Sequence, residues 1–534
     1  MTRFLSLSTE DWQAYAIALV LVTSYFLYRR ASKARASFPP GPRGWTWPIL
    51  GNILDFNIDQ SRLHLQFSEW KLTYGDIVGL KVAGQSIIVL NSRSVVLDLL
   101  GGRAAVYSDR PSMPFFRDLI GWDWVLPLQH YGREMHLQRR MIDRAINTEF
   151  SRHFYGMIAQ EARILASCLV SNPQEFDKLF LRMTGRTLLR FTLGNQTDQD
   201  REKTMVMADA LEEGLSLGTS VAGAHLVDLM PSRNISQCLD FVQELIQVHS
   251  GIVASGTFGV QDKECSTGYG KSLSAMEKSL CSHSIQEDSV SSDPSMLRLL
   301  VEQNKQMDGS IKDEKSIKAA VTASYTAGAV SGTETLRVFV LAMMRYPDVQ
   351  RKAQALIDAA IGRKGLPTLD DRPSLPYIEA ILKETLRWKP VSPLAFPHRT
   401  TADDVYKGYF IPKGSTVLPN SWQCLQDEGD YPDPENFLPE RFCDSTGSVL
   451  LNNVPEPRQF AFGYGRRVCP GRNFAENILW VNIATLLSVF DIRRPDGQKE
   501  PRIFSHMGLM KPEPFECLFV PRSEGRLNQL LADK

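Results

Sequence analysis

The chain has 534 residues, of which 43% are hydrophobic and 22% are charged, so it is long enough to bury a large core. Basic and acidic residues both number 60, and this balance gives no reason to expect a nucleic acid or another polyanion as partner. The eight cysteines form no Cys-x-x-Cys pair, which argues against a zinc site or a disulfide framework and suits a reducing compartment.

The N-terminal stretch predicts a single membrane-spanning anchor. Residues 12–28 are almost all apolar, carry no charge and are just long enough to cross a bilayer. Basic residues follow at once, so the positive-inside rule places residues 1–11 in the lumen and the rest in the cytosol. A cleaved signal peptide is the alternative, but in that case the charges would precede the apolar run.

Residues 29–44 predict a basic and proline-rich hinge before a body of residues 45–534. The run Phe-Pro-Pro-Gly-Pro from Phe38 cannot continue a helix, because proline lacks the donor and restricts the residue before it. Residues 76–90 alternate loosely around Gly84, which predicts a β-hairpin. Residues 217–304 show little periodicity, and such a stretch is typical of a lid, a substrate-access element or disorder.

Residues 316–345 predict one long apolar helix that Pro347 stops. Gly328 and Gly332 lie at its centre, and each costs about 1 kcal/mol relative to alanine in a helix interior. Small residues there let a flat ligand approach the backbone; close packing against another helix is the alternative. Further on, strand and turn patterns cover 407–414 and 416–419, and two apolar segments, 504–510 and 515–521, predict a last hairpin.

Residues 462–471 read Phe-Gly-Tyr-Gly-Arg-Arg-Val-Cys-Pro-Gly and precede a predicted helix at 473–490. The glycines permit a tight loop, and proline suits the first turn of a helix. Cys469 therefore lies at a helix N-terminus, where free N–H groups favour an anionic thiolate. An isolated cysteine is often a small core hydrophobe. The glycines and the two arginines favour a metal ligand instead.

These ten residues match the haem-binding signature of the cytochrome P450 family, Phe-Gly-x-Gly-x-Arg-x-Cys-x-Gly, at every fixed position. The resemblance implies a mainly α fold with small β-sheets (α+β), preceded here by the transmembrane helix. It implies haem b (iron protoporphyrin IX) with Cys469 as the axial iron ligand, a thiolate that favours O–O cleavage. Phe462 and Arg467 are then cofactor-binding residues.

The resemblance implies further haem contacts. Arg139 matches the arginine of a Trp-x-x-x-Arg pair that binds a propionate, although Met135 replaces the tryptophan. His398 is implied as another propionate contact, and residues 390–399 and 507–509 as pocket lining. The alternative for His398 is a surface histidine, and the alternative for Arg139 is a position on a solvated helix face.

A structural motif of the family is also present. Glu384 and Arg387, in Lys-Glu-Thr-Leu-Arg-Trp, are neighbours on one helix face, and Arg441 follows in Phe-Leu-Pro-Glu-Arg-Phe. In the family these three residues lock together through charge-assisted bonds and support the haem loop.

The proton relay is ambiguous. The family has Ala-Gly-x-Asp/Glu-Thr in the long helix, an acid–alcohol pair that delivers protons to the oxygen-binding site. Counting back from Pro347 places Val330 at the acid and Ser331 at the alcohol, so the carboxylate is missing. Glu334 belongs to a similar pattern about one helical turn later. We favour the register with Ser331, and Glu334 stays the alternative.

The resemblance therefore implies a microsomal-type monooxygenase in the endoplasmic reticulum membrane, in contact with lipid. It would receive electrons from NADPH–cytochrome P450 reductase and oxidise an apolar small molecule. Several segments resemble those of fungal members of the family that modify terpenoids, polyketides or alkaloids. This part of the argument is an analogy only. A non-oxygenating rearrangement or dehydration, or a non-catalytic haem protein, are the alternatives.

Overall fold

The computed structural model describes residues 36–42, 51–52, 55, 62–82, 84–114, 117, 122–146, 149–194, 294–362, 365–499, 501–506 and 509–532. Helices dominate these described residues, and the strands form small sheets, which confirms the predicted fold class. The predicted anchor, residues 12–28, lies outside them. Within the described residues, no helix combines the length and the apolar character that crossing a membrane requires.

The helices form the larger part of the described chain. Their bounds are α1 Leu63–Tyr74, α2 Arg93–Val96, α3 Ala104–Tyr107, α4 Arg133–Ile146, α5 Tyr155–Ser171, α6 Phe176–Leu193, α7 Met296–Asn304, α8 Glu314–Arg345, α9 Pro347–Ile361, α10 Pro376–Trp388, α11 Ser421–Leu425, α12 Arg458–Ala461, α13 Arg472–Val489 and α14 Glu524–Ala532. A π-helix, Leu97–Gly102, joins α2 to α3.

The strands are β1 Ile77–Val82, β2 Gln85–Leu90, β3 His398–Arg399, β4 Asp404–Tyr406, β5 Tyr409–Ile411, β6 Thr416–Pro419, β7 Phe490–Arg493, β8 Ile503–His506, β9 Leu509–Pro512 and β10 Leu518–Pro521. The main sheet has the order β1-β2-β6-β3, and β1 and β2 form the hairpin predicted around Gly84. β3 is antiparallel to β6, so His398 is held at the sheet edge opposite Val417.

The long helix α8 runs through the core, which confirms the helix predicted for residues 316–345. Val338 to Met343 are six consecutive residues with at most 1% of their surface exposed. A helix segment that is apolar on all sides is buried in the core, and α8 packs against α4, α6 and α13. It ends before Pro347, which opens α9 instead of extending α8.

Part of the predicted hinge is attached to the sheet. The amide of Gly79 in β1 donates to the carbonyl of Pro40 (2.8 Å), and the amide of Phe410 in β5 donates to Ser37 (2.9 Å). The two backbones cross so closely that a Cβ on Gly41 would lie 2.0 Å from the carbonyl oxygen of Gly79. Residues 36–42 therefore belong to the folded body.

The predicted last hairpin is wrong in its pairing. β8 and β9 form a hairpin that covers the first of the two segments, with Ile503 opposite Pro512. The second segment, β10, pairs with β7, which follows α13 directly. Alternation of apolar and polar residues identifies a strand, but it does not specify which strand pairs with it. Any adjacent strand can satisfy the backbone N–H and C=O groups. Leu509 is described, whereas the other two predicted pocket residues of this hairpin lie outside the described residues.

Candidate active site

The loop before α13 holds Cys469 in a fixed backbone geometry. The Cys469 amide donates to the carbonyl of Phe462 (2.7 Å), which closes the loop. Gly463 and Gly465 have φ values of 78° and 51°, in the left-handed region. A Cβ on Gly465 would lie 2.0 Å from the carbonyl oxygen of Leu100, so the π-helix and the loop meet backbone to backbone. Only glycine allows this contact.

Cys469 is half-buried at the N-terminus of α13. Burial raises the pKa of its thiol, while the N–H groups of Gly471 and Arg472 and the charges of Arg139 and Arg472 lower it. In the protein alone, burial has a larger effect than these groups, so the pKa of the Cys469 thiol lies above its ordinary value. A cation bound at Sγ would supply the further positive charge that converts the thiol to a thiolate ligand.

Arg467 and His398, two of the predicted cofactor-binding residues, are buried bases, and they lie close enough for the charge of Arg467 to lower the pKa of His398. Arg467 donates from Nε to the carbonyl of Ser108 (2.7 Å) and from Nη2 to that of Gln129 (2.8 Å). Burial lowers the pKa of Arg467 to about 10, and Asp109 opposes this effect. The predicted cofactor-binding ring of Phe462 is half-buried and packs against the hydrophobic core.

His398 is oriented by a single hydrogen bond. Its Nδ1 lies 2.7 Å from the carbonyl oxygen of Tyr107 and must donate to it. Burial and the charge of Arg110 lower the pKa of His398 well below its ordinary value, so the ring is neutral in the protein alone. A carboxylate beside Nε2 would raise this pKa and make Nε2 a second donor.

Arg139 lies on α4, close enough to Cys469 and Arg467 to affect the pKa of both. Its side chain is half-buried, and no hydrogen bond or ion pair to the rest of the described chain engages it. Met135, at the position of the family's tryptophan, is buried, with 1% of its surface exposed. Arg139 is thus a cation available to an anion at this site.

The segment from Tyr107 to Arg110 orients His398 and Arg467, and the sequence analysis assigned it no role. Its carbonyls bind His398 at Tyr107 and Arg467 at Ser108, and the Asp109 carbonyl accepts from the amide of Arg399 (2.8 Å). The sequence of this segment and the next residue, Tyr-Ser-Asp-Arg-Pro, gives no sign of this role. Backbone acceptors leave no signature in side-chain chemistry, so the pattern could not reveal this function.

Glu384, Arg387 and Arg441 meet in the interior as the resemblance implies. Arg387 binds Glu384 in a two-pronged contact of 2.7 and 2.8 Å, and all of both side chains is buried. Arg441 approaches the same carboxylate at 3.3 Å and also donates to the carbonyls of Pro432 and Asp433. Arg387 further donates to the carbonyls of Leu425, Pro434 and Asn436, in the segment before the cysteine loop.

The two glycines of α8 face α6. A Cβ on Gly328 would lie 2.8 Å from Leu188 Cδ1, and one on Gly332 would lie 3.3 Å from Thr184 Cγ2. Close helix packing, the alternative in the sequence analysis, therefore explains these glycines. Ala327 and Ser331 are exposed although they lie at the centre of a core helix, so this face of α8 borders an open space.

The two candidates for the proton relay have different surroundings. The Ser331 hydroxyl is exposed on the open face and donates to the carbonyl of Ala327 (2.9 Å). Glu334 is 3% exposed and contacts Arg337 at 3.2 and 3.3 Å, and Arg337 also pairs with Asp177 of α6 at 2.8 Å. The structure thus places Glu334 in an ion-pair network between α8 and α6.

This donor set fits an iron porphyrin. After loss of its proton, the Cys469 thiol would be a soft anionic ligand for iron. The buried bases Arg467 and His398 and the unengaged Arg139 provide donors for two carboxylates. The exposed face of α8 has only small side chains at Ala327 and Ser331, which leaves room for a flat ring.

Comparison with known proteins agrees with this site. Residues 39–519 match the family model described as Cytochrome P450. A cytochrome P450 monooxygenase of Armillaria gallica is 34% identical over 99% of both chains. Cytochrome P450 monooxygenase 208 of Postia placenta is 34% identical over 95% of both, and claR of Ampulloclitocybe clavipes is 34% identical over 95% of this chain and 90% of its own. The chain therefore belongs to the cytochrome P450 family and is a monooxygenase of fungal type.

Proposed function

We propose that this monooxygenase binds haem b through Cys469 and inserts one oxygen atom from O2 into an apolar small molecule. The observation that supports the proposal is the thiol at the start of α13, with the side chains of Arg139, Arg467 and His398 nearby as proposed partners of the two propionates. When bound, the haem supplies the activation of O2. The chain holds and orients the cofactor, admits the substrate and controls the proton supply.

The proposed substrate is an apolar secondary metabolite, of the terpenoid, polyketide or alkaloid type. Its apolar character is supported by Ala327 on the open face of α8 and by Phe396, 39% exposed two residues before His398. The secondary-metabolite role rests on analogy with fungal members of the family.

NADPH–cytochrome P450 reductase is the proposed electron donor. Arg133, Arg140 and Arg144 are exposed along α4, and Arg466 is exposed on the cysteine loop and donates to the Tyr131 hydroxyl. This basic face lies on the two elements that carry Arg139 and Cys469, so an acidic partner would dock close to the cofactor. Residues 12–28 are the proposed single-pass anchor in the endoplasmic reticulum membrane.

Isotope labelling tests the proposed reaction. The full-length protein, supplied with reductase, NADPH and 18-O2, should transfer one labelled atom to product, and omission of the reductase should stop turnover. Candidate substrates would come from metabolite profiles of a strain that lacks the gene. Product without label would favour the non-oxygenating rearrangement or dehydration, for which Val330 at the acid position is the motivating observation. No turnover of any accumulated metabolite would favour a non-catalytic haem protein.

Ser331 is the proposed hydroxyl of the proton relay. We expect Ser331→Ala to raise the release of hydrogen peroxide per NADPH consumed by roughly tenfold, because a positioned proton donor typically contributes 10²–10⁴-fold to rate. Glu334→Gln should lower thermal stability without changing this ratio, since Glu334 is paired with Arg337. Peroxide release measured with both variants decides the register. Strong uncoupling in Glu334→Gln alone would reject the choice of Ser331.

A further inference from the structure

The hairpin of β8 and β9 is held in place by contacts outside its own strands. Among the described residues, its two strands pair only with each other. A two-stranded sheet by itself is marginally stable, so the position of this hairpin depends on its neighbours. One neighbour is the predicted pocket segment, where the carbonyl of Val391 accepts a hydrogen bond from the amide of Met510 (2.7 Å). Because β9 begins with the predicted pocket residue Leu509, such contacts determine where part of the pocket wall lies.

The second neighbour of the hairpin is Arg337 of the core helix α8. Its Nη2 donates to the carbonyl of Pro512, the last residue of β9 (3.5 Å). Arg337 is only 8% exposed, and Met510 and Pro512 are buried where β9 packs against α8. A charged donor in a place with little water interacts more strongly than it does in solvent. This bond therefore fastens β9 to the core.

Two carboxylates orient the guanidinium of Arg337. Nε lies 2.8 Å from Oδ1 of Asp177 on α6, and Nη1 lies 3.2 Å from Oε1 of Glu334 on α8 itself. Burial raises the pKa of Asp177, and the charge of Arg337 opposes this effect. Because a guanidinium is planar and rigid, fixing Nε and Nη1 also fixes the place of Nη2, which binds the hairpin.

The start of α6 contacts the same part of the chain. Phe176, next to Asp177, packs its ring against those of Phe515 (5.1 Å between centroids) and Phe519 (5.8 Å). Phe515 follows β9, and Phe519 lies in β10. Helices α6 and α8 and the last strands thus meet around one buried cation.

We propose that Arg337 is a positioning residue for the substrate pocket, which fastens the hairpin of β8 and β9 to α8 and α6 and thereby places the pocket wall at Leu509. This inference rests on the proposed function, because it requires a haem pocket bordered by this hairpin. Arg337 then controls the fit of large apolar ligands without contacting them. A ligand small enough to contact little beyond the iron is not affected by Arg337.

The experiment compares two variants of the full-length holoenzyme with one control. Arg337→Met removes the charge and the donors, and Arg337→Lys keeps a charge for the carboxylates but not the fork that also reaches Pro512. Arg526→Met is the matched control, since it removes a buried arginine that lies on α14 and binds Asp358. The readouts are hydrogen–deuterium exchange of peptides that contain β8 and β9, the dissociation constants of imidazole and clotrimazole from the shift of the haem spectrum, and the thermal unfolding midpoint.

We expect exchange in β8 and β9 to become about tenfold faster in both Arg337 variants, as for the loss of one hydrogen bond from a charged donor. Clotrimazole, an imidazole that carries three aromatic rings, should bind several-fold more weakly, because the pocket wall occupies its binding position for less of the time. Imidazole should keep its wild-type dissociation constant. Arg337→Lys should unfold at a higher temperature than Arg337→Met, since it retains the counter-charge of the buried carboxylates. Arg526→Met should lower the unfolding midpoint only.

Exchange in the hairpin that is no faster than in Arg526→Met would overturn the proposal. Faster exchange with an unchanged dissociation constant for clotrimazole, or with imidazole weakened to the same extent, would reject the role in the pocket. If Arg337→Met does not fold, Arg337→Lys decides. If neither folds, Asp177→Asn decides in the same way, because it removes a carboxylate that orients the guanidinium. Failure of the proposed function is distinguishable, since the wild-type protein would then show no spectral shift with imidazole.

Discussion

Replacement of Cys469 by alanine is expected to abolish the thiolate-type spectrum of the reduced carbon monoxide complex, together with all turnover. The loop closed between Cys469 and Phe462 leaves one sulfur at the start of α13. Alanine offers no ligand atom, and iron without an anionic sulfur loses the electron donation that favours O–O cleavage. The measurement is the difference spectrum of the purified variant, with haem content determined in parallel.

Cys168→Ala is the matched control for this prediction. Cys168 lies on α5 and is half-buried like Cys469, and it is not among the residues proposed to bind haem. We expect this variant to keep the wild-type spectrum and activity. A Cys469→Ala protein that retained the thiolate-type spectrum would contradict the ligand assignment.

Glu384→Gln is expected to have the largest effect on stability. The carboxylate is completely buried between Arg387 and Arg441, and it also accepts from the backbone amide of Leu438 (2.8 Å). Its loss leaves two buried guanidiniums without a counter-charge, which costs roughly 3–5 kcal/mol in free energy of unfolding. Because Arg387 also binds the carbonyls of Pro434 and Asn436, we expect the haem content to fall as well.

Urea unfolding with haem content as a second readout tests this expectation. Glu302→Gln is the control, since Glu302 pairs with Arg298 on the surface of α7, where an exposed pair contributes about 0.2–1 kcal/mol. Equal unfolding midpoints for the two variants would show that the buried cluster does not stabilise the protein.

Much of the site could be predicted because its chemistry is local in the chain. Ten consecutive residues carry the thiol, the glycines that shape its loop and the proline that opens the next helix. Glu384 and Arg387 share one turn of α10, so their contact follows from helical spacing. Local patterning also predicted α8 and the β1–β2 hairpin.

Other features depend on segments that are far apart in sequence. Arg110 donates to the carbonyls of Phe396 and Pro397, which lie 286 and 287 positions later in the chain. The surroundings of Glu334 were decided by Arg337 and by Asp177, which lies 160 positions before Arg337 on α6. The contact between α8 and α6 also accounts for Gly328 and Gly332. From the sequence alone, these glycines could equally make room for a ligand.

The sequence by itself predicted the place of the Cys469 thiol at a helix start, the contact of Glu384 with Arg387 and the mainly helical class, because each depends on neighbours within a few residues. The tertiary structure alone decided which backbone carbonyls orient Arg467 and His398, which face of α8 borders the open space, and that β10 pairs with β7. Every residue carries the same backbone carbonyl, so the sequence does not show which carbonyl accepts a given hydrogen bond. Helical spacing likewise shows which residues share a face, but not what that face contacts. Only the packing of distant segments therefore distinguishes a haem-facing position from a helix contact.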